Sequence, residues 1–208
     1  MPLFFDEIWE AFRIFMKSAA VIQAAGKGSR FHSDQYKLLA PVAGVPMILR
    51  TVEPVLQTGF DEVVIVVGCH AAEMRAVLAG LPVKIVENRD WEKGQSTSLS
   101  AGVRAVQHIS DRACLLLGDQ PFLRADTLRA LLTGSDDHPG EIIVPFYQGR
   151  RGNPIIVPSV CYELLLSLTE GDEGGRKLLK TSACRELSVD DPGILRDIDT
   201  VGELEGYE

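Results

Sequence analysis

The chain has 208 residues, about one domain and a fraction by usual domain size. With 46% hydrophobic residues it can bury a full core without disulfides or metal staples. Its 21 basic and 29 acidic residues give a net charge of -8, which argues against a nucleic-acid coat or a polybasic membrane binder, because a phosphate backbone is held mainly by clustered Lys and Arg. A single small anionic ligand stays open, since it needs only a few local donors. Cys69, Cys114, Cys161 and Cys184 form no C-x-x-C pair, so zinc-finger and thioredoxin readings lack support. Cys69 and Cys114 are expected as small core hydrophobes, and a reduced, cytoplasmic compartment is the simplest inference.

In chain order, residues 1–17 come first as an amphipathic helical extension. Phe5, Ile8, Trp9, Phe12, Phe15 and Met16 fall on one helical face, with Asp6, Glu7 and Glu10 early. It lacks the basic region and clean apolar run of a signal peptide, and it is too short and too charged to span a bilayer. It reads as a helix packed on the domain, as sequence upstream of an alternative start at Met16, or as a docking helix.

From residue 18 to 208 a single domain is expected. Ala19–Ala24 reads as a buried strand, 47–57 as a helix stopped at Gly59, Glu62–Val67 as a strand, 71–78 as a helix and 83–87 as a strand. A helix follows over 98–107, a strand over 113–117 and a helix over 126–132. Strands at 142–144 and 155–157 flank a polar turn. Helices over 161–168 and 174–179 and a late strand over 194–198 complete the pattern. The alternation predicts an α/β fold with a mostly parallel sheet between helices, and the unbroken apolar runs at 62–67 and 113–117 suit strands buried on both faces. Ligands of such sheets bind beyond the carboxyl ends of the strands.

The residues placed there carry chemistry. Ala24-Ala25-Gly26-Lys27-Gly28-Ser29-Arg30 follows the first strand, with Lys37 beyond. Small residues let backbone N–H groups approach a phosphate chain, and Arg30 and Lys37 add charge. The pattern is neither G-x-G-x-x-G nor Walker A, and a purely structural turn is the competing reading. Asp119, after the strand at 113–117, is either a cap for the next helix or a Mg²⁺ ligand, because hard cations take carboxylate and phosphate oxygens together. Asp197 and Asp199, on one face of the expected late strand, could each be the second ligand; Asp199 could instead cap a short final helix. Ser96, Thr97 and Ser98 after Gly94 suggest a polar pocket able to read a base edge, although capping explains one of them. The histidines, His32 in the loop among them, read as surface or loop residues.

Six blocks in order resemble the MobA-like nucleotidyltransferases, most closely the molybdenum cofactor cytidylyltransferase (MocA-type) branch. They are A-A-G-K-G-S-R-F with K-L-L-A (24–31, 37–40), W-E-K-G-Q-S-T-S-L-S-A-G (91–102), L-L-G-D-Q-P-F (116–122), G-R-R-G-N-P (149–154), G-D-E-G-G-R-K-L-L (171–179) and D-I-D-T (197–200). The resemblance implies a three-layer Rossmann-like nucleotidyltransferase fold that transfers CMP from CTP to the terminal phosphate of molybdopterin and releases pyrophosphate. It implies that Gly26, Gly28, Ser29 and Arg30 hold the β- and γ-phosphates and that Lys37 neutralises the α-phosphate. Asp119 and Asp199 would bind Mg²⁺. Ala24, Ala25, Gly94 and Ser98 would complete the nucleotide site, while Gly152, Asn153, Pro154 and Asp172 would face the acceptor. Lys37, Arg30 and Asp119 are then the catalytic set, and a molybdenum hydroxylase is the implied recipient of the product.

The chain departs from that pattern in places. Gln23 replaces the apolar residue usual before Ala-Ala-Gly, His32 a usual Gly, Gln95 a usual Met and Asn153 a usual His. Two other readings stand beside the leading one. One is a nucleotidyltransferase for another phosphorylated acceptor, such as methylerythritol phosphate or a phosphosugar. The other is a non-catalytic carrier of a pterin cofactor, for which Lys37, Asp119 and Asp199 together would be superfluous.

Overall fold

A computed structural model describes residues 16–31, 35–168 and 174–204. The proposed N-terminal extension up to residue 15, His32 and Asp172 lie outside the described residues. The elements are β1 (Ser18–Ala24), β2 (Pro41–Val42), β3 (Val45–Pro46), α1 (Met47–Thr58), β4 (Glu62–Val67), α2 (Ala71–Val77), β5 (Lys84–Glu87), α3 (Gln95–Val106) and β6 (Arg112–Leu117). They continue with α4 (Ala125–Asp137), β7 (Ile142–Tyr147), β8 (Arg150–Arg151), β9 (Ile155–Pro158), α5 (Tyr162–Ser167), α6 (Gly174–Thr181), β10 (Cys184–Ser188) and α7 (Val201–Leu204).

An eight-stranded sheet runs in the order β10-β7-β9-β6-β1-β4-β5, with β8 paired to β7. The pairs β1–β4, β1–β6, β4–β5 and β10–β7 are parallel, whereas β9 is antiparallel to both β6 and β7. The fold is thus three-layered and mostly parallel, as the alternation predicts. Side chains alternate across β1: Ala20, Ile22 and Ala24 join Met47, Ile48, Met74, Leu128 and Leu131 on one face, while Ala19 and Val21 join Leu99, Val103, Tyr162 and Leu165 on the other. Each fully buried Ile or Leu of these layers contributes about 1.5–3 kcal/mol. Among the described residues no helix is long and apolar enough to cross a membrane.

Several expectations need correction. Residues 194–198 are not a strand. A 3-10 turn over Pro192–Leu195 leads into chain without ladder pairing, because Pro192 has no N–H and the nearby backbone groups are taken by loops: the Asp191 carboxylate accepts from Gly193 N (2.9 Å), the Ile194 carbonyl from Asn153 N (2.9 Å), and the Asp119 carbonyl from Ile198 N (3.1 Å). The edge strand β10, unread in the sequence, is mostly exposed and carries Arg185 and Glu186. Helix α3 begins at Gln95 rather than 98, and α4 runs past Gly134 to Asp137. Cys114 is buried as expected, but Cys69 is only partly so.

Candidate active site

Beyond the carboxyl ends of β1 and β6 lies a cleft of about 480 Å³, a size suited to a nucleotide-sized ligand. One wall is the loop after β1, from which Ala24, Ala25, Gly26, Gly28, Ser29 and Arg30 line the space. Gly28 adopts φ +66°, and a Cβ there would lie 2.9 Å from Lys37 Cβ, so the turn needs glycine both for its backbone and for the close approach of Lys37. The Tyr36 hydroxyl reaches the carbonyls of Ala24 (3.2 Å) and Gly26 (2.9 Å), tying the loop to the end of the strand. Burial pushes the Tyr36 phenol well above its ordinary pKa, so it stays protonated and able to donate. Its ring stacks on His70 with 4.1 Å between centroids.

Four charged side chains meet at the base. The Lys37 ammonium, 7% exposed, donates to Asp119 Oδ2 and to Asp199 Oδ1, each at 2.7 Å. Arg30, 77% exposed, contacts Asp199 Oδ2 at 2.7 Å. Asp197 lines the same cleft. Asp119 Oδ1 is buried without a hydrogen-bond partner. The Gly118 carbonyl beside it accepts from the buried Thr51 hydroxyl (3.0 Å), and Gly118 N donates to the Gln23 carbonyl (2.9 Å), so the Asp119 turn is pinned to α1 and to β1.

Neither aspartate is a helix cap. Asp191 serves α4, accepting from Arg124 N (3.1 Å) and the Thr127 hydroxyl (2.6 Å). Thr200 and Glu203 cap α7 reciprocally: Glu203 Oε2 accepts from Asp199 N (2.7 Å) and Thr200 N (3.0 Å), and Glu203 N donates to Thr200 Oγ1 (3.3 Å). Those two backbone N–H groups hold the Glu203 carboxyl below its ordinary range.

The residues fit a divalent cation. Hard oxygen donors, one of them an orphaned buried carboxylate oxygen, sit beside a loop suited to phosphates, and Mg²⁺ is commonly held by one or two carboxylates together with substrate phosphates. No group of three His, Cys, Asp or Glu forms a ready-made cage among the described residues, so phosphate and water would complete the coordination.

Ser98, Gln95 and Trp91 also line the cleft, together with Gln23 and Leu117. Asn88 Nδ2 donates to Ser98 Oγ (3.0 Å) and to Thr97 Oγ1 (2.8 Å), and Thr97 Oγ1 donates back to the Gly94 carbonyl (2.8 Å). Thr97 is therefore tied back to the Gly94 carbonyl and to Asn88, no side chain caps the start of α3, and Ser98 lines the cleft. Gly94 opens α3 at φ +120° but does not line the cleft. Gly152, Asn153 and Pro154 do not line it either. Asn153 N bonds the Ile194 carbonyl, a Cβ on Gly152 would collide with that same carbonyl, and Pro154 follows a cis peptide. This block braces the segment that carries Asp197 and Asp199.

Sequence reasoning brought Lys37, Asp119, Asp199, Arg30, Ser98 and the glycine loop to one place. It missed Tyr36, Trp91 and Leu117 as cleft residues, and it noted Gln23 and Gln95 only as departures. The Asp190-Asp191-Pro192-Gly193 run was a turn signal that could have placed Asp191.

The family described as MobA-like NTP transferase domain matches residues 20–187. Nicotine blue oxidoreductase of Paenarthrobacter nicotinovorans is 32% identical over 193 residues, covering 88% of this chain and 93% of that protein. Purine catabolism protein PucB of Bacillus subtilis is 33% identical over 196 residues, covering 89% and 93%. The chain spans 24% of a bifunctional GlmU protein of Geobacter metallireducens that it also matches. Among solved structures, Rv0371c of Mycobacterium tuberculosis superposes with a TM-score of 0.81 at 29% identity, covering 92% of this chain and 97% of that one, and a manganese complex of Rv0371c is similar at 0.78.

Proposed function

The chain belongs to the MobA-like NTP transferase family and is a nucleotidyltransferase, and on that premise we propose that it transfers CMP from CTP to the terminal phosphate of molybdopterin. What supports this reading most is the Lys37 ammonium between Asp119 and Asp199 beside the Gly26–Arg30 loop. An ionised oxygen of the acceptor phosphate attacks the α-phosphorus. The new P–O bond forms as the bond to the β-bridging oxygen breaks, and pyrophosphate leaves with the electron pair. The acceptor is already anionic at neutral pH, so no strong protein base is required; positioning and charge neutralisation carry the step. Arg30 and the loop bind the β- and γ-phosphates. Lys37 releases the carboxylates and takes the α-phosphate. Asp119 and Asp199 hold the divalent cation, Mg²⁺ in this reading, which supplies further charge neutralisation at the triphosphate when bound. Ser98, whose hydroxyl accepts from Asn88, keeps its own proton for the base. Asn153 and Gly152 pack on the Ile194 backbone of the segment that carries Asp199.

The test is pyrophosphate release with Mg²⁺ and molybdopterin, comparing CTP, GTP, ATP and UTP. Release with CTP, lost in Lys37→Ala and in Asp119→Ala, is the expected result. Release with GTP alone would overturn the choice of base, and equal turnover in either variant would remove that residue from the catalytic set.

A further inference from the structure

From Ala19 to Ala24, β1 is an apolar strand at the centre of the sheet, with one interruption. Gln23 stands between Val66 of β4 and Leu117 of β6. It lies on the same face as Ala19 and Val21, the face covered by α3, and it lines the cleft. Its Oε1 atom is buried and has no hydrogen-bond partner. A carbonyl oxygen left unpaired in a packed interior is costly, and such atoms in native folds call for a partner. The same cleft is lined by Ser98, whose hydroxyl proton is uncommitted, and by the apolar side chains of Trp91 and Leu117. The wall thus offers one acceptor and one donor between apolar surfaces, the pattern that grips the edge of a heteroaromatic base carrying an amine next to an acceptor.

We propose that Gln23 is a specificity-determining residue whose Oε1 accepts a hydrogen bond from the exocyclic amine of the nucleobase. The inference rests on the CTP reading above, in which that amine is the 4-amino group of cytosine. It gives Gln23 a reason to occupy a strand position that packing alone would fill with a hydrocarbon. A site built to bond an N–H group rejects ligands lacking it, because its own polar atom is then stranded.

Isothermal titration of the full chain with CTP, UTP, GTP and the 2-pyrimidinone riboside triphosphate, which differs from CTP only in lacking the 4-amino group, tests this. Wild type is expected to bind CTP roughly ten- to hundredfold tighter than the 2-pyrimidinone analogue. In Gln23→Met, close in volume, that ratio should fall to about one while affinity for the analogue is kept. The melting temperature without nucleotide should stay level or rise, since the stranded oxygen is gone, and it verifies that the variant is folded; Gln23→Leu serves should Met pack poorly. A folded variant that still prefers CTP over the analogue overturns the assignment of Gln23 and leaves the CTP reading intact. A wild type that prefers neither CTP over UTP nor CTP over GTP overturns the CTP reading and, with it, this inference.

Discussion

Replacing Lys37 by Met tests the electrostatics of the cleft most directly. Met keeps the length of the stem and removes the charge. Asp119 Oδ2 and Asp199 Oδ1 each lie 2.7 Å from Nζ, so they are no more than about 5.4 Å apart, twice that contact. Two unit charges at that distance repel by about 3 kcal/mol at an effective dielectric of about 20. Arg30 remains beside Asp199, but at 77% exposure it offsets little. Removing one partner from a largely buried charge cluster typically costs about 3–5 kcal/mol. For a chain of this size that is a fall in melting temperature of about 6–20 °C. The assay is thermal unfolding at neutral pH in EDTA and in millimolar Mg²⁺ or Mn²⁺. The cation should raise the melting temperature of Lys37→Met by more than that of wild type, because in wild type it must displace an ammonium from the same oxygens. A variant as stable as wild type in EDTA, or one that gains no more from the cation, would refute the reasoning.

Gly28→Ala should cost about 1–2 kcal/mol of stability through its positive φ and weaken triphosphate binding by pressing on Lys37, read by urea unfolding and nucleotide titration. Thr51→Val keeps the shape of α1 but strands the Gly118 carbonyl; a loss of about 1–3 kcal/mol in urea unfolding is expected, with weaker cation binding because the Asp119 turn loses its anchor. Glu203→Gln should destabilise the chain near neutral pH. Its carboxyl is held below its ordinary value of 4.5, so the stabilising contribution is full above that value and fades as pH falls through the lower folded value. The melting-temperature gap between Glu203→Gln and wild type should therefore close on acidification below about pH 4.5; a gap that is constant from pH 7 to 3 would count against the capping role.

Much of the fold was legible because burial leaves a simple trace. Val63–Val67 and Ala113–Leu117 are continuous apolar runs, and in the structure they flank β1 at the centre of the sheet. The phosphate loop and Asp119 were found by place, since they follow those strands. What escaped lacked periodicity. Residues 194–198 carry strand-like residues, yet side chains and loops of distant elements claim their backbone groups, a tertiary effect that local pattern does not encode. Strand β10 packs one side chain inward and reads as polar chain. Tyr36 acts through its hydroxyl on carbonyls 10 and 12 residues away, and no spacing rule announces that. Gly152 and Asn153 were found by resemblance, but their contacts are with the backbone of Ile194 rather than with the cleft.

The bracing of residues 191–199 bears on the sign of the cleft. Arg30 and Lys37 come from the first elements and Asp119 from the middle of the chain, so those three alone leave an excess of one positive charge. Asp197 and Asp199 arrive on a segment fastened to α4 through Asp191, to Asn153 and to the Asp119 carbonyl, and they turn that excess into a deficit of one. A polyphosphate entering the finished cleft therefore meets a net acidic surface and needs a cation to accompany it. On the proposed reading, loosening Asp191 or Asn153 from outside the cleft would move the balance toward anion binding without metal.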